Sequence, residues 1–106
     1  MKRQMPNMGN MMKKMQQMQR QMLQAQQEIE EKEFEASVGG GAVVAKVNGK
    51  NSLVSLEISE DLMSADDRED LQDLIIMAVN EANRQATEAM ANAMGQFTQG
   101  LSIPGL

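Results

Sequence analysis

The side chains best suited to a binding function in this sequence are the cations near its N-terminus. Residues 1–22 hold five Lys or Arg and no Asp or Glu, although the net charge of the whole chain is −5. These five are Lys2, Arg3, Lys13, Lys14 and Arg20. Such a concentration of one sign is typical of segments that bind nucleic acid or another anionic surface. On charge alone, a hydrated helix face remains the alternative.

The sequence lacks the side chains that several other kinds of chemistry need. Without Cys or His there is no thiolate nucleophile, no Cys-based zinc site and no imidazole base. The glycines Gly39–Gly41 are followed by a strand pattern rather than by a phosphate-binding helix, and Asp66–Asp70 lacks the spacing of a calcium loop. We therefore predict no enzyme activity, cofactor, metal site or small-molecule substrate.

The sequence has no targeting or membrane signal. It contains no apolar run of the length that a membrane span requires, and Gln4–Asn7 is not the apolar core of a signal peptide. We expect a cytoplasmic protein without a membrane partner.

The N-terminal cations lie within a predicted long helix, from about residue 7 to 32. Its apolar residues alternate at spacings of three and four, which is the a/d pattern of a helix that packs against another helix. They are Met8, Met11, Met15, Met18, Met22, Ala25 and Ile29. Such a helix would be about 39 Å long at ~1.5 Å per residue, so we expect part of this Met seam to meet a second copy or a partner. Lys13 and Arg20 occupy position f, opposite the seam, and Lys14 lies at g.

Three strands and a second helix follow. Alternating apolar residues predict strands over about residues 33–58, with Val54, Leu56 and Ile58 on the apolar face of the third. Gly39–Gly41 and Asn48-Gly49 mark the two turns, the latter as a tight hairpin. Ser64 is the predicted N-cap of a helix over 65–94, and Gly95 is its predicted C-cap.

The predicted fold is therefore a single α+β domain over residues 1–95. It comprises a flexible start (1–7), a helix, a three-stranded antiparallel meander and a second helix, and a flexible tail follows over 96–106.

The chain resembles the YbaB/EbfC family of bacterial nucleoid-associated DNA-binding proteins. The resemblance lies in the Met-, Lys- and Gln-rich first helix, in Ile58 with Leu62, and in the words GGGAV (39–43), VNG (47–49), LQDLI (71–75), AVNEA (78–82), MG (94–95) and PGL (104–106). It implies a tweezer-like homodimer with helical arms, located on the nucleoid, that binds DNA, alters its conformation and affects gene expression. Because Arg84 is the only basic residue between 80 and 94, we assign DNA contact to the first helix.

The expected ligand is duplex DNA, bound with low sequence selectivity. Stacking platforms for single strands are scarce because the chain has two Phe and no Trp or Tyr. The alternative is a protein-interaction adaptor in which the Met seam docks a partner helix. An enzyme subunit is the least favoured hypothesis.

Overall fold

The computed structural model describes residues 7–99, with side chains described for residues 8–97. The elements are α1 (Asn7–Glu31), β1 (Glu33–Val38), β2 (Val43–Asn48), β3 (Leu53–Ile58) and α2 (Arg68–Gln99), with 3-10 turns at Glu60–Leu62 and Ala65–Asp67. The predicted α+β fold is confirmed. Asn7 belongs to α1, whereas the remainder of the predicted flexible start, including Lys2 and Arg3, lies outside the described residues.

The core lies between one face of the sheet and α2. The strands are antiparallel in the order β1-β2-β3, and α2 packs mainly across β2 and β1. Every core side chain is small, so the helix backbone approaches the sheet closely. Each core residue is 4% exposed or less, and the core residues are Ala36, Val43, Ala45, Val47, Ala78, Ala82 and Ala86.

Both hairpin turns form, but the second differs from the predicted tight turn. Gly39, Gly40 and Gly41 have φ of 62°, 68° and 93°, values that favour glycine. The β2–β3 turn spans more residues, and its left-handed position is Asn51 at φ 65° rather than Gly49. Gly49 is required for close approach instead, because a Cβ there would collide with the Ile29 carbonyl of α1.

The apolar face of β3 differs from its prediction. The register shifts between Lys46 and Val47, so that Val47 pairs with Leu53 while Lys46 pairs with Ser55. This bulge places Leu53 opposite the buried Val47, and Val54 lines the groove on the other side of the sheet. The prediction for Val54 is therefore wrong, whereas Leu56 and Ile58 are half-buried as expected.

The second helix begins near its predicted start and ends later. Ser64 occupies the N-cap position, but its hydroxyl donates to the Asp67 carboxylate (2.7 Å) and caps no backbone N–H. The predicted end at Gly95 is wrong, because α2 continues to Gln99 and Gly95 does not have positive φ. One helical Gly costs only about 1 kcal/mol relative to Ala, which is too little by itself to end a long helix. The rest of the predicted tail, 100–106, lies outside the described residues.

Candidate nucleic-acid interface

α1 leaves the sheet at the end formed by the β2–β3 turn. The Gly49 N–H donates to the Glu30 carbonyl (3.2 Å), and Lys32 N–H donates to the carbonyls of Glu28 and Ile29 (3.1 Å each). Only glycine at position 49 permits this approach of the turn to the α1 backbone. The C-terminus of α1 is therefore held by main-chain contacts, and its N-terminal half points away from the sheet.

α2 runs along the sheet and then beside α1. Leu74 lies against Gly39 in the β1–β2 turn, whereas Asn51 in the opposite turn donates to the Asn83 carbonyl (3.2 Å) and to Thr87 Oγ1 (3.4 Å). The residues after Thr87 thus pass beyond the sheet at the end from which α1 departs. There the two helices pack together, with half-buried side chains on α2 at Ala89, Met90, Ala93, Met94 and Phe97.

The Met seam is divided between a covered and an uncovered part. Met18, Met22, Ala25 and Ile29 are half-buried in the region where α1 and α2 pack together. The preceding residues Met8, Met11, Met12 and Met15 are 60–64% exposed. From Thr87 to Gln99, α2 advances about 18 Å, whereas α1 extends about 33 Å from Ile29 to Asn7. Among the described residues, the difference leaves an overhang of roughly 15 Å, which we call the α1 arm (residues 8–17).

The predicted cations Lys13 and Lys14 lie on the α1 arm, and Arg20 lies about two turns further along the same helix. All three are exposed, and within the described part of the chain none of them forms an ion pair. The structure therefore brings these three together on one helix.

Two of the other cations form ion pairs with neighbouring carboxylates. Arg84 on α2 forms ion pairs with Glu81 (2.7 Å) and Glu88 (2.8 Å), and the Glu81 hydrogen bond raises the pKa of Arg84 further above its usual value. The hydrogen bond from Arg84 likewise lowers the pKa of Glu81. Lys46 pairs with Glu33 (3.6 Å) on the sheet. Arg84 therefore presents little net positive charge to a polyanion.

The acidic cluster lies at the opposite end of the sheet from the arm. Asp66, Asp67, Glu69, Asp70 and Asp73 surround the start of α2, near the β1–β2 turn. One six-residue strand is about 20 Å long at ~3.3 Å per residue. That length exceeds twice the Debye length of about 8 Å at physiological salt, so these carboxylates weaken phosphate binding at the arm only slightly.

A second uncovered surface lies beside β3, and we call it the β3 face. Ile76 is 57% exposed and lies on the same stripe of α2 as Asn83 and Thr87, which contact the β2–β3 turn. Leu53, 49% exposed, lies on β3 at the same side of the sheet, next to the half-buried Leu56 and Ile58. The sequence pattern did not reveal this face, because the β3 bulge and the offset of α2 across the sheet create it.

The described residues offer no other obvious centre of chemistry. No three His, Cys, Asp or Glu among residues 7–99 are arranged to hold a metal ion. Over the same residues, neither long helix is apolar enough to cross a bilayer.

Comparison with known proteins identifies a matching family, similar sequences and a similar solved structure. A sequence model of the YbaB/EbfC DNA-binding family matches residues 5–101. The chain is 52% identical over 101 residues to a nucleoid-associated protein of Alkaliphilus metalliredigens, covering 95% of this chain and 89% of that one. It is 50% identical over 102 residues to a nucleoid-associated protein of Clostridium perfringens (96% and 91% covered). The crystal structure of uncharacterized protein HP0035 from Helicobacter pylori is similar, with TM-score 0.61, 26% identity, and 74% and 90% of the two chains covered.

Proposed function

The chain belongs to the YbaB/EbfC DNA-binding family, and from that membership we propose that it binds duplex DNA through Lys13, Lys14 and Arg20. In this proposal the protein is a homodimer. It binds DNA with low sequence selectivity, alters the conformation of the DNA and thereby affects gene expression. In this proposal it acts in the cytoplasm, on the nucleoid, and the naming of its relatives as nucleoid-associated proteins supports the nucleoid location. The proposal includes no catalysis, cofactor or small-molecule substrate. Lys2 and Arg3 would extend the cationic strip.

The observation that carries the proposal is the set of three exposed cations on a projecting helix, none of which forms an ion pair with another described residue. They lie where neither the carboxylates at the start of α2 nor the sheet blocks the approach of a phosphate backbone. Each phosphate contact releases condensed counterions, and this gain does not depend on base sequence. Binding should therefore be salt-sensitive and only weakly selective.

A duplex is favoured over a single strand because the aromatic side chains are poorly placed for stacking. The Lys32 ammonium lies 5.8 Å from the centroid of the Phe34 ring, near the start of β1. Phe97 is half-buried near the end of α2. Neither ring lies on the α1 arm beside the cations, and single strands are usually held on such stacking platforms.

The β3 face supports the homodimer. Leu53 and Ile76 are large apolar side chains that the chain itself leaves about half exposed. A second copy seated on this face would bury them and would carry a second α1 arm. The two arms together would present six cations from the described part, which strengthens attachment to one polyanion.

Fluorescence anisotropy with labelled duplexes tests this function directly. We expect similar affinities for duplexes of unrelated sequence, weaker binding of a single strand of equal length, and affinity that falls steeply with salt. A matched anionic polymer without helical grooves serves as the control for charge alone. Failure to bind any duplex at low salt would refute the proposal.

One specific observation favours the adaptor as a second candidate function. Met8, Met11, Met12 and Met15 form an exposed apolar stripe on the α1 arm, and Met-rich surfaces adapt to varied partner helices. The adaptor function predicts a stoichiometric protein partner that stays bound after nuclease treatment, and purified protein that binds no DNA. The proposed DNA-binding function predicts the reverse.

A further inference from the structure

The Met seam and the cations lie on opposite sides of the α1 arm. At 100° per residue, Lys13 and Arg20 lie about half a turn from the line through Met8, Met11 and Met15. A duplex bound to the cations would therefore leave the exposed methionines facing away from it. The proposed function uses only the cationic side.

The exposed stripe continues a helix–helix contact that already exists within the chain. Met18 and Met22 are half-buried in the region where α1 and α2 pack together, and the same three-and-four spacing continues N-terminally to Met8. Beyond the reach of α2, the pattern has no covering helix among the described residues. The stripe is therefore the continuation of a coiled-coil seam.

A hole for a side chain, which no described residue fills, lies where the covered and uncovered parts of the Met seam meet. Met15, Met18, Gln19 and Met22 line a cavity of about 210 Å³ on the α1 surface. Their positions i, i+3, i+4 and i+7 are those of the four residues that receive one knob from a facing helix in a coiled coil. The occupant that this geometry fits is an apolar side chain on another helix.

We propose that the occupant is the α1 arm of a second copy, so that arms from two homodimers pair through their methionines and hold two duplexes together. Pairing would place the two Met stripes inside and the Lys13 and Arg20 strips outside, one facing each duplex. The inference rests on the proposed function, because the duplexes bind through those cations.

The repulsion between the cations of two arms and the small area of the methionine contact make this pairing dependent on DNA. Four partly exposed methionines per arm provide a small contact, and Lys14 at position g brings like charges near the seam. Phosphates neutralise the cations, and binding along DNA raises the local concentration of arms. Free protein should therefore remain dimeric, whereas DNA-bound protein should join duplexes.

A two-duplex capture assay tests the inference, with one duplex fixed to beads and a second, fluorescent duplex in solution. The double variant Met11→Gln/Met15→Gln replaces thioethers with a neutral, unbranched side chain of similar helix propensity. It should bind a single duplex within about twofold of wild type but retain roughly tenfold less of the fluorescent duplex. Met11→Leu/Met15→Leu is the matched apolar control and should capture normally.

Single-cysteine cross-linking provides an independent readout, because the chain has no Cys of its own. Met15→Cys lies in the seam and should form a covalent pair with a short bismaleimide only when DNA is present. Gln17→Cys, on the outer side of the same arm, should give little product.

Three results would contradict arm pairing, and a fourth would contradict the proposed function. Normal capture by the Gln variant, or equal cross-linking at positions 15 and 17, would overturn arm pairing while leaving DNA binding intact. Absence of capture by wild type at saturating protein would also overturn it. Loss of single-duplex binding in wild type would instead refute the proposed function.

Discussion

Removal of the three cations on α1 should weaken DNA binding by an amount that depends strongly on salt. The perturbation is the triple variant Lys13→Gln/Lys14→Gln/Arg20→Gln, in which Gln preserves helix propensity. None of the three side chains has an ion pair among the described residues, so the change breaks no such pair within the protein. The three substitutions should therefore affect DNA binding rather than ion pairs within the protein.

The magnitude follows from the number of phosphates released. Each lost contact removes about 0.9 from the slope of log K against log salt, so six cations in a dimer account for a slope of roughly −5. Between 50 and 200 mM salt, that contribution corresponds to about a thousandfold in affinity. The variant should lose most of this salt dependence equally on all duplex sequences.

Anisotropy titrations at four or five salt concentrations provide the measurement, and circular dichroism verifies that the helices are intact. The matched control is Lys46→Gln/Lys50→Gln/Arg68→Gln, which removes the same charge from the sheet and from the start of α2. If both triple variants lowered the slope equally, binding would depend on net charge alone. That result would refute the assignment of DNA contact to the projecting helix.

Three further predictions concern the surfaces around this helix. Leu53→Asp on the β3 face should convert the proposed dimer to monomer in sedimentation experiments, because an unpaired carboxylate would be buried in the proposed interface. Gly49→Ala should lower the free energy of unfolding by about 1–3 kcal/mol in urea titrations, because its methyl collides with the α1 backbone. Glu81→Gln combined with Glu88→Gln should release Arg84 and raise duplex affinity modestly at low salt.

Each of these predictions has a contrasting outcome. A Leu53→Asp protein that remained dimeric would place the dimer contact elsewhere on the molecule. For the glycine, Lys50→Ala in the same turn is the control and should be nearly neutral. Unchanged affinity after release of Arg84 would show that the charge on this part of α2 does not influence DNA bound at α1.

The order and type of the elements could be predicted from the sequence because their signals are local. The three-and-four spacing from Met8 to Ile29 is a property of consecutive turns, and alternation in β1 and β2 is a property of consecutive residues. The absence of Cys and His likewise limits the available chemistry without reference to any fold. The uneven distribution of charge could also be counted directly along the chain.

Other features depended on contacts between segments distant in sequence. The local sequence predicts that the second helix ends at Gly95, yet α2 continues through this residue. The bulge opposite Lys46 and Val47 reversed the predicted faces of Leu53 and Val54, because one extra residue changes the face of the residues before it, whereas Leu56 and Ile58 after it keep theirs.

The division of the Met seam was likewise decided only by the tertiary structure. Local spacing establishes that methionines share one face, but it carries no information about how far a neighbouring helix reaches. Here α2 crosses the sheet before it meets α1, so it reaches Met18 but leaves Met8 to Met15 exposed. The sequence therefore determined which side chains face the same way, and the packing of α2 determined which of them remain accessible to another molecule.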